Sequence, residues 1–594
     1  MGRFSLYYNT VKYMKLSQVY HRTKKVICKR LKLNSKIKIN SIPKTNITSF
    51  TVLELDFDPG FLNRYNINEL MNNEFTFLYS KRKIDIAGAW NDRKLQHLWR
   101  YNLHYFDFIY PLAKAYKENK DDTIYIKFKE LVNAWIDHNI AFTGDGWHPY
   151  TLSLRITNWI CGYEMFEGKI EGDIEFRDKY IRSIYLQYLY LQRNLEKDVL
   201  GNHYFENIKA LIIGSVFFGD KHVLNKFVSE LVKQLDEQIM NDGMHFELSP
   251  MYHKIILEDL IKIAFWLKSS SIEIPKTVML KLKKMIDCIY SLEKDMGTTP
   301  LFNDSGNNIA KSTESLLYAS EKYFGLKPDY RTCFDDSGYY IMHYKDKKII
   351  IDCGEVCPSY LPAHGHCDAL SYELSIDGMP FIVNSGTYEY EKGEWRDFFR
   401  STRSHNTLMI DDVEQSHYWG SFRVAKRIYN VKGNIARTEN TNYFRGSYIN
   451  QKGSSHERYI FFSCPDILVV LDKVSCKGTK TVKSYVHFHP EFDLKNNGTW
   501  EVWKQKQRYA QVHTINSLSE GSLFGERNNG WYAPEFGIKD KNHVLEIQSI
   551  SDKPYIGYVI DFGEKNSTLQ IEENILILVY DDEVQRIDLN KLML

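Results

Sequence analysis

Residues 325–352 read GLKPDYRTCFDDSGYYIMHYKDKKIIID, and the chain changes character inside them. Upstream, apolar residues recur at spacings of three and four, the signature of amphipathic helices. Downstream, short runs of aromatic and β-branched residues alternate with turns, the signature of strands. Tyr339 to Tyr344 and Lys348 to Asp352 are the first two such runs. A domain boundary is expected between Gly325 and Asp335.

Working back from that point, 125–136 places Tyr125, Phe128, Leu131, Val132, Trp135 and Ile136 on one helical face. Segments 181–195, 205–218, 224–239, 253–268 and 276–292 repeat the habit. Many helices joined by short polar turns suggest an α/α toroid or a helical bundle, and periodicity does not choose between them. Working forward, Ser371 to Ile376, Phe381 to Val383, Arg458 to Phe462, Ile467 to Leu471, Val482 to Phe488 and Ile575 to Tyr580 read as strands. Asp377-Gly378 is a hairpin signal. No crossover helices separate these runs, so the sheets are expected to be antiparallel, as in a β-sandwich. The expected division is a basic helical extension over 1–50, a helical domain over 51–328 and a sandwich over 329–594.

The bulk numbers fit a folded two-domain protein. Of 594 residues, 43% are hydrophobic and 26% charged, which is globular composition. Lys+Arg is 77 against Asp+Glu 75, a net charge of +2 that gives no sign of a nucleic-acid partner. The local positive charge that an acidic sugar needs is compatible with that balance. Nine scattered cysteines without a CxxC pair argue against a disulfide framework and a zinc ribbon. No run of 18 apolar residues occurs, so no transmembrane helix is expected. Basic residues from Lys12 to Lys32 interrupt any signal-peptide core, which points to the cytoplasm. Segment 16–31 has helical spacing with a basic face. Contact with an anionic membrane surface is one reading of it, and a solvated helix packed on the domain is the preferred one.

Three clusters carry candidate chemistry. Asn202-His203-Tyr204-Phe205-Glu206-Asn207 opens an apolar helical run, and capping explains one or two of its polar groups but not His203. Ser249-Pro250-Met251-Tyr252-His253 reads as a helix start with Pro in the first position, so Tyr252 lies in the first turn, where the positive helix end favours a phenolate. His364-Gly365-His366-Cys367-Asp368 puts two histidines on one side of an extended segment, a spacing suited to one metal ion. Asn384-Ser385-Gly386 and Ser404-His405-Asn406 follow.

In this order the clusters resemble the heparinase II/III family of polysaccharide lyases and the related alginate and oligoalginate lyases. The resemblance runs from about residue 85 to 590. It includes Trp99-Arg100-Tyr101-Asn102-Leu103-His104-Tyr105, Trp147-His148-Pro149-Tyr150 with Arg155, Phe302-Asn303-Asp304, and Arg400-Ser401-Thr402 through Leu408. It implies an α/α toroid followed by an antiparallel β-sandwich. It implies β-elimination on a uronic-acid-containing polysaccharide, with Asn202 neutralising the carboxylate, Tyr252 as acid or acid and base, and His203 or His364 as base. Glu206 is expected to orient His203. Asn102, His104, Tyr105, Arg155, Tyr388 and Arg400 are the candidate sugar-binding groups. His366 and His405 match two ligands of a metal, usually zinc. Asn384, a weaker donor than a carboxylate, stands where the family has an Asp ligand. Relatives of this type are often periplasmic. A uronyl C5-epimerase shares the first half of the chemistry and is the main alternative. A non-catalytic glycan-binding protein and a metal-dependent hydrolase are the others.

Overall fold

The computed structural model describes residues 2–31, 37, 39, 41–46, 52–356, 358–437, 441–463, 466–522, 530–563, 568–572, 574–580 and 583–588. Helices fill the first part of the chain and antiparallel strands the second. The last helix before the sheets is Thr313–Phe324, and the first sandwich strand is Cys333–Phe334. The helical part also carries a small hairpin, Glu74–Phe77 with Ser80–Lys83. Its register keeps Phe75 and Phe77 in the helical core.

Two helices are buried on almost every face, Gly201–Phe218 and Pro250–Ser269. Their sequences are apolar around the whole cylinder, which suits only an inner position. Gly201–Phe218 packs on Pro149–Met165, on Lys221–Gln238 and on Pro250–Ser269. Outer helices such as Lys221–Gln238 keep one buried stripe, Val223, Leu224, Phe227, Leu231 and Leu235 among it. The arrangement is an incomplete toroid of helices around a cleft.

In the second part, an eight-stranded sheet runs in the order Tyr429–Arg437, Thr441–Ile449, Ser455–Ser463, Ile467–Ser475, Ile556–Asp561, Gln507–Ile515, Trp500–Lys504, Asp493–Asn496. A five-stranded sheet from Cys333–Phe334 to Met379–Ile382 and a four-stranded sheet containing Leu408–Ile410 and Thr481–His487 face it. One apolar core joins Ile349, Leu374, Ile460, Val470 and Leu545 from all three sheets. Strand Lys347–Asp352 is buried on both sides. Ile349 and Ile351 enter the sandwich core, while Ile350 packs with Tyr339 and Ile341 against Met244, Leu248 and Phe302 of the helical part. That explains its unbroken apolar run, because both of its faces are covered. It also clamps the two domains together, so loops from the sandwich reach the toroid cleft at fixed positions. Among the described residues no helix is long and apolar enough to cross a membrane.

Candidate active site

Four left-handed non-glycine residues surround the site: Leu200, Leu248, Asn303 and Leu370, with φ of 70°, 55°, 55° and 61°. Such conformations are costly and persist where surrounding structure enforces them. Each lies within two residues of a group described below. Gly201 is also left-handed, and a Cβ there would stand 2.3 Å from Glu247 Oε1 and 2.5 Å from a Leu361 methyl. No other residue fits at the start of the Asn202 helix.

Asn202 is buried, and its backbone N–H donates to Glu247 Oε1 at 3.1 Å. Its side-chain amide has no partner among the described residues. His203 Nδ1 lies 3.0 Å from Glu196 Oε1, and its ring stacks on Tyr150 at 4.3 Å. Burial works to lower the His203 pKa, but the charge and hydrogen bond of Glu196 outweigh it, and the net direction is upward. Glu196 is fully buried and held at about 2 by His203, with help from His148 and Lys25, against its own burial. Glu206 does not orient His203. It faces Lys209 at 2.9 Å, and Lys209 also pairs with Asp259. Spacing alone allows either partner, since His203 and Lys209 both lie three residues from Glu206, and the buried Lys209 ammonium takes the carboxylate while Glu196 takes His203.

Tyr252 occupies the first turn of Pro250–Ser269, capped by Ser249 Oγ, which accepts its backbone N–H at 3.3 Å. Its hydroxyl meets that of Tyr390 at 3.0 Å. Its ring lies on His364, centroids 4.0 Å apart. Burial raises its pKa well above the usual phenol value, and the Asp304 and Glu247 charges add to this, although the Tyr390 hydrogen bond opposes it. The helix end therefore does not yield the phenolate expected from position alone. His364 sits between two carboxylates, Nδ1 at 2.9 Å from Asp304 Oδ2 and Nε2 at 3.5 Å from Glu247 Oε2. Asp304 also receives His366 Nε2 at 2.8 Å and the Arg396 guanidinium, whose NH2 stands at 2.8 Å. These cationic and imidazole partners hold its carboxyl well below the usual range, with the Arg396 charge the largest of them, despite complete burial.

Tyr252 and Tyr390 line a cleft open to solvent, with Asn102, Tyr105 and Tyr150. His203 and His364 stack on its lining rings Tyr150 and Tyr252. At the same cleft, Lys311 is almost fully buried with its ammonium over the Phe61 ring at 3.1 Å. It reaches no carboxylate among the described residues, and burial lowers its pKa to about 8. Arg64 lies over the same ring at 4.8 Å.

Four expected sugar-binding groups lie elsewhere. Arg155 is fully buried, stacked on Trp135 at 3.7 Å and bonded to Gln187, to the His104 carbonyl and to the Gly146 carbonyl. His104 is buried beside it and accepts Trp135 Nε1 at 3.0 Å. Both brace the helices behind the cleft. Tyr388 packs on Trp395, Phe399 and Lys539. Arg400 donates to the carbonyls of Gly365, Gly420 and Ser421 and so holds the His364 loop from behind. Each had the right residue type for sugar contact, and each is consumed by backbone carbonyls or ring packing. Sequence reading missed Glu196, Asp304, Tyr390, Arg396 and Lys311 as functional groups. Asp304 alone carried a signal, its place in the Phe302-Asn303-Asp304 motif.

His366, Asn384 and His405 are brought together, with Asp368 beside them. His366 gives Nε2 to Asp304 and leaves Nδ1 buried and unpartnered. His405 gives Nδ1 to Asn384 Oδ1 at 3.0 Å and leaves Nε2 buried and unpartnered. The two rings are 5.3 Å apart. Potential ligand atoms of His366, Asp368 and His405 lie within 4.8 Å of one another. Two orphaned imidazole nitrogens and a carboxylate suit a divalent ion such as zinc. Asn384 Oδ1 is engaged by the His405 ring. Asn384 orients His405, and its own amide donates to Glu373 at 3.3 Å. Asp368 lies close enough to His366 and His405 to offer them a carboxylate neighbour.

A helical toroid clamped to an antiparallel sandwich, with Tyr252 lining the interdomain cleft and His203 and His364 packed on its lining rings, defines the toroid-and-sandwich class. The chain belongs to the heparinase II/III family: the models described as heparinase II/III N-terminus and heparinase II/III-like, C-terminal match residues 9–331 and 327–559. It is similar to heparin-sulfate lyase of Pedobacter heparinus, 22% identical over 516 residues, covering 80% of this chain and 76% of that protein. It is 23% identical over 465 residues to heparin-sulfate lyase of Bacteroides thetaiotaomicron, covering 69% and 64% of the two chains. A crystal structure of heparinase III superposes with a TM-score of 0.73 at 17% identity, covering 93% of this chain and 94% of the other.

Proposed function

We propose that this chain is a polysaccharide lyase, a carbon–oxygen lyase that opens uronic-acid-containing glycans of the glycosaminoglycan type by β-elimination. The observation that carries the reading is a chain of contacts at the cleft: Tyr252 lies on His364, His364 faces Glu247, Glu247 accepts the Asn202 backbone N–H, and the neighbouring His203, bound to Glu196, packs on the lining ring of Tyr150. The heparin-sulfate lyase names of its relatives support an acidic glycosaminoglycan substrate.

The chemistry starts from a C5 proton that is only weakly acidic. The Asn202 amide donates to the uronate carboxylate and stabilises the enolate that forms as the proton leaves. Glu196 accepts the His203 Nδ1–H, fixing the tautomer whose Nε2 lone pair faces outward as base. Its charge also makes that nitrogen more basic. Tyr252, kept protonated by burial, gives its proton to the departing O4 oxygen. Tyr390 holds the Tyr252 hydroxyl, and His364 fixes the ring from below. Lys311 and Arg64 offer positive charge further along the cleft to a carboxylate or sulfate on a neighbouring sugar.

A divalent metal, zinc by its donor set, is part of the proposal. His366, Asp368 and His405 would hold it, and it would supply fixed positive charge that orders the loop carrying His364. Metal analysis of the purified protein tests this: one equivalent is expected, lost in Asp368→Ala and retained in Asn384→Ala.

The activity test is ultraviolet absorbance of the unsaturated C4=C5 uronate on a panel of acidic polysaccharides, for wild type and Tyr252→Phe. A rise that the substitution abolishes is expected. Solvent deuterium entering C5 without any rise in absorbance would replace the lyase with the epimerase.

A further inference from the structure

The N-terminal helices Arg3–Val11 and Leu16–Arg30 are inside out. A helix lying on a globular body normally turns its apolar stripe inward. Here Phe4, Tyr8 and Val11, spaced four and three apart, are exposed, Phe4 by 87%. The first helix buries none of its residues. In the second, Leu16, Val19, Tyr20, Ile27 and the following Leu31 form the same kind of stripe, and Leu16 is 88% exposed. The side that meets the body is polar: Gln18 is buried and donates to the Tyr360 carbonyl, and Lys25 pairs with Asp198. Those positions lie on the opposite face of the helix from Leu16, Tyr20 and Ile27. Of the 22 large hydrophobic side chains exposed among the described residues, ten fall within residues 4–31.

Charge says what covers this stripe. Residues 2–31 hold eight Lys and Arg and no Asp or Glu. Among the described residues only Lys15 and Lys25 of this segment reach a carboxylate. Arg22, Lys24 and Arg30 flank the apolar stripe on the second helix. An apolar face edged with unpaired cations is the composition of a helix lying in the headgroup layer of a negatively charged bilayer. A second copy of the chain would bring eight cations against eight.

We propose that the two N-terminal helices dock this protein on an anionic lipid surface, with Phe4, Tyr8, Leu16 and Tyr20 entering the headgroup layer. The helices are held to the rest of the molecule through Trp419 Nε1, which donates to Thr10 at 3.1 Å, and through the Lys15–Glu237 pair. The cleft is then presented at a fixed attitude to the membrane.

Co-sedimentation of the full chain with phospholipid vesicles tests this. The wild type is expected to pellet with vesicles containing phosphatidylglycerol and to stay in solution with phosphatidylcholine alone. The triple variant Phe4→Ser, Leu16→Ser, Tyr20→Ser is expected to lose about tenfold or more in partitioning, because each change withdraws apolar surface from the bilayer. The variant Arg22→Gln, Lys24→Gln, Arg30→Gln is expected to lose about 100-fold, at roughly fivefold per basic residue. Circular dichroism of both variants is expected to match the wild type, since neither set of side chains is buried. Wild type left in solution with anionic vesicles overturns the proposal. So does binding that ignores both variants, or that is equally strong on phosphatidylcholine. A concentration-dependent dimer dissolved by the serine changes also overturns it, and assigns the stripe to a second copy.

Discussion

On the helical side of the cleft, Asn202 keeps its amide free and His203 keeps Nε2 free, each anchored by one carboxylate, Glu247 or Glu196. On the sandwich side, Asp304 is enclosed by His364, His366 and Arg396, and nothing about it faces solvent. Both regions are histidines around a buried acid. The difference lies in what is left over. Groups with spare donors and lone pairs can do work on a ligand, while the saturated Asp304 carboxylate fixes the positions of the histidines around it, His366 keeping one nitrogen spare. Tyr252 stands at the seam, bonded to Tyr390 and stacked on His364, so it belongs to the rigid side by packing and to the open side by chemistry.

The comparison breaks first at Tyr252. Tyr252→Phe keeps the ring and its stacking and removes the proton. A loss of about 10²–10⁴ in kcat is expected, the range for a general acid or base, with thermal stability near wild type. Measured turnover within a fewfold of wild type would move the acid to another residue. Asp304→Ala tests the saturated side. Removing one partner of a buried ionic group leaves the others uncompensated and costs about 3–5 kcal/mol. Denaturant unfolding should show that loss, whereas His203→Ala should leave stability much closer to wild type.

The legibility of the two regions in the sequence follows the same line. Helical periodicity and the run Ile349–Ile351 exposed the architecture, because burial of whole faces is written locally. Asn202, His203, Tyr252 and His364 were legible as a motif. Glu196 was not, because its bond to His203 depends on a loop turning back before the helix, and local spacing offered Glu206 instead. Arg155 and Arg400 misled for a related reason. A guanidinium that binds carbonyls of the fold and one that binds a sugar carboxylate have the same one-letter code. Asp368 was not singled out beside His366 and His405, because its distance from them is set by the fold and not by sequence spacing.

Glu196→Gln sharpens the open side. The folded pKa of His203 is raised by Glu196, so the neutral base is lost as pH falls through that value. Removing the charge lowers it, and the acidic limb of the kcat/KM profile should move to lower pH. The linked stability has the opposite sense. A His raised in the folded state contributes stability that is complete below its unfolded pKa and fades as pH rises through the folded one. The wild type should therefore lose more stability than the variant across that window. An unchanged acidic limb would take the base role away from His203.

Lys311 gives the smallest effect and the cleanest separation of the two kinds of cluster. It has no carboxylate partner among the described residues and sits in a place that lowers its pKa to about 8. Below that pH it is charged in both folded and unfolded chains, and the folded chain bears the burden of keeping it so. Between about 8 and the unfolded value the burden lifts, so stability should rise with pH there. A Met of similar length would pack on Phe61 without the charge. Lys311→Met is accordingly expected to raise Tm. If the ammonium meets an anionic sugar group, the same change should raise KM about tenfold, the loss of one charged hydrogen bond, with kcat little altered. The wild-type KM should climb above pH 8 as the charge is lost, and the variant KM should not. A higher Tm with unchanged KM would return Lys311 to the scaffold and leave the cleft's anion recognition to Arg64.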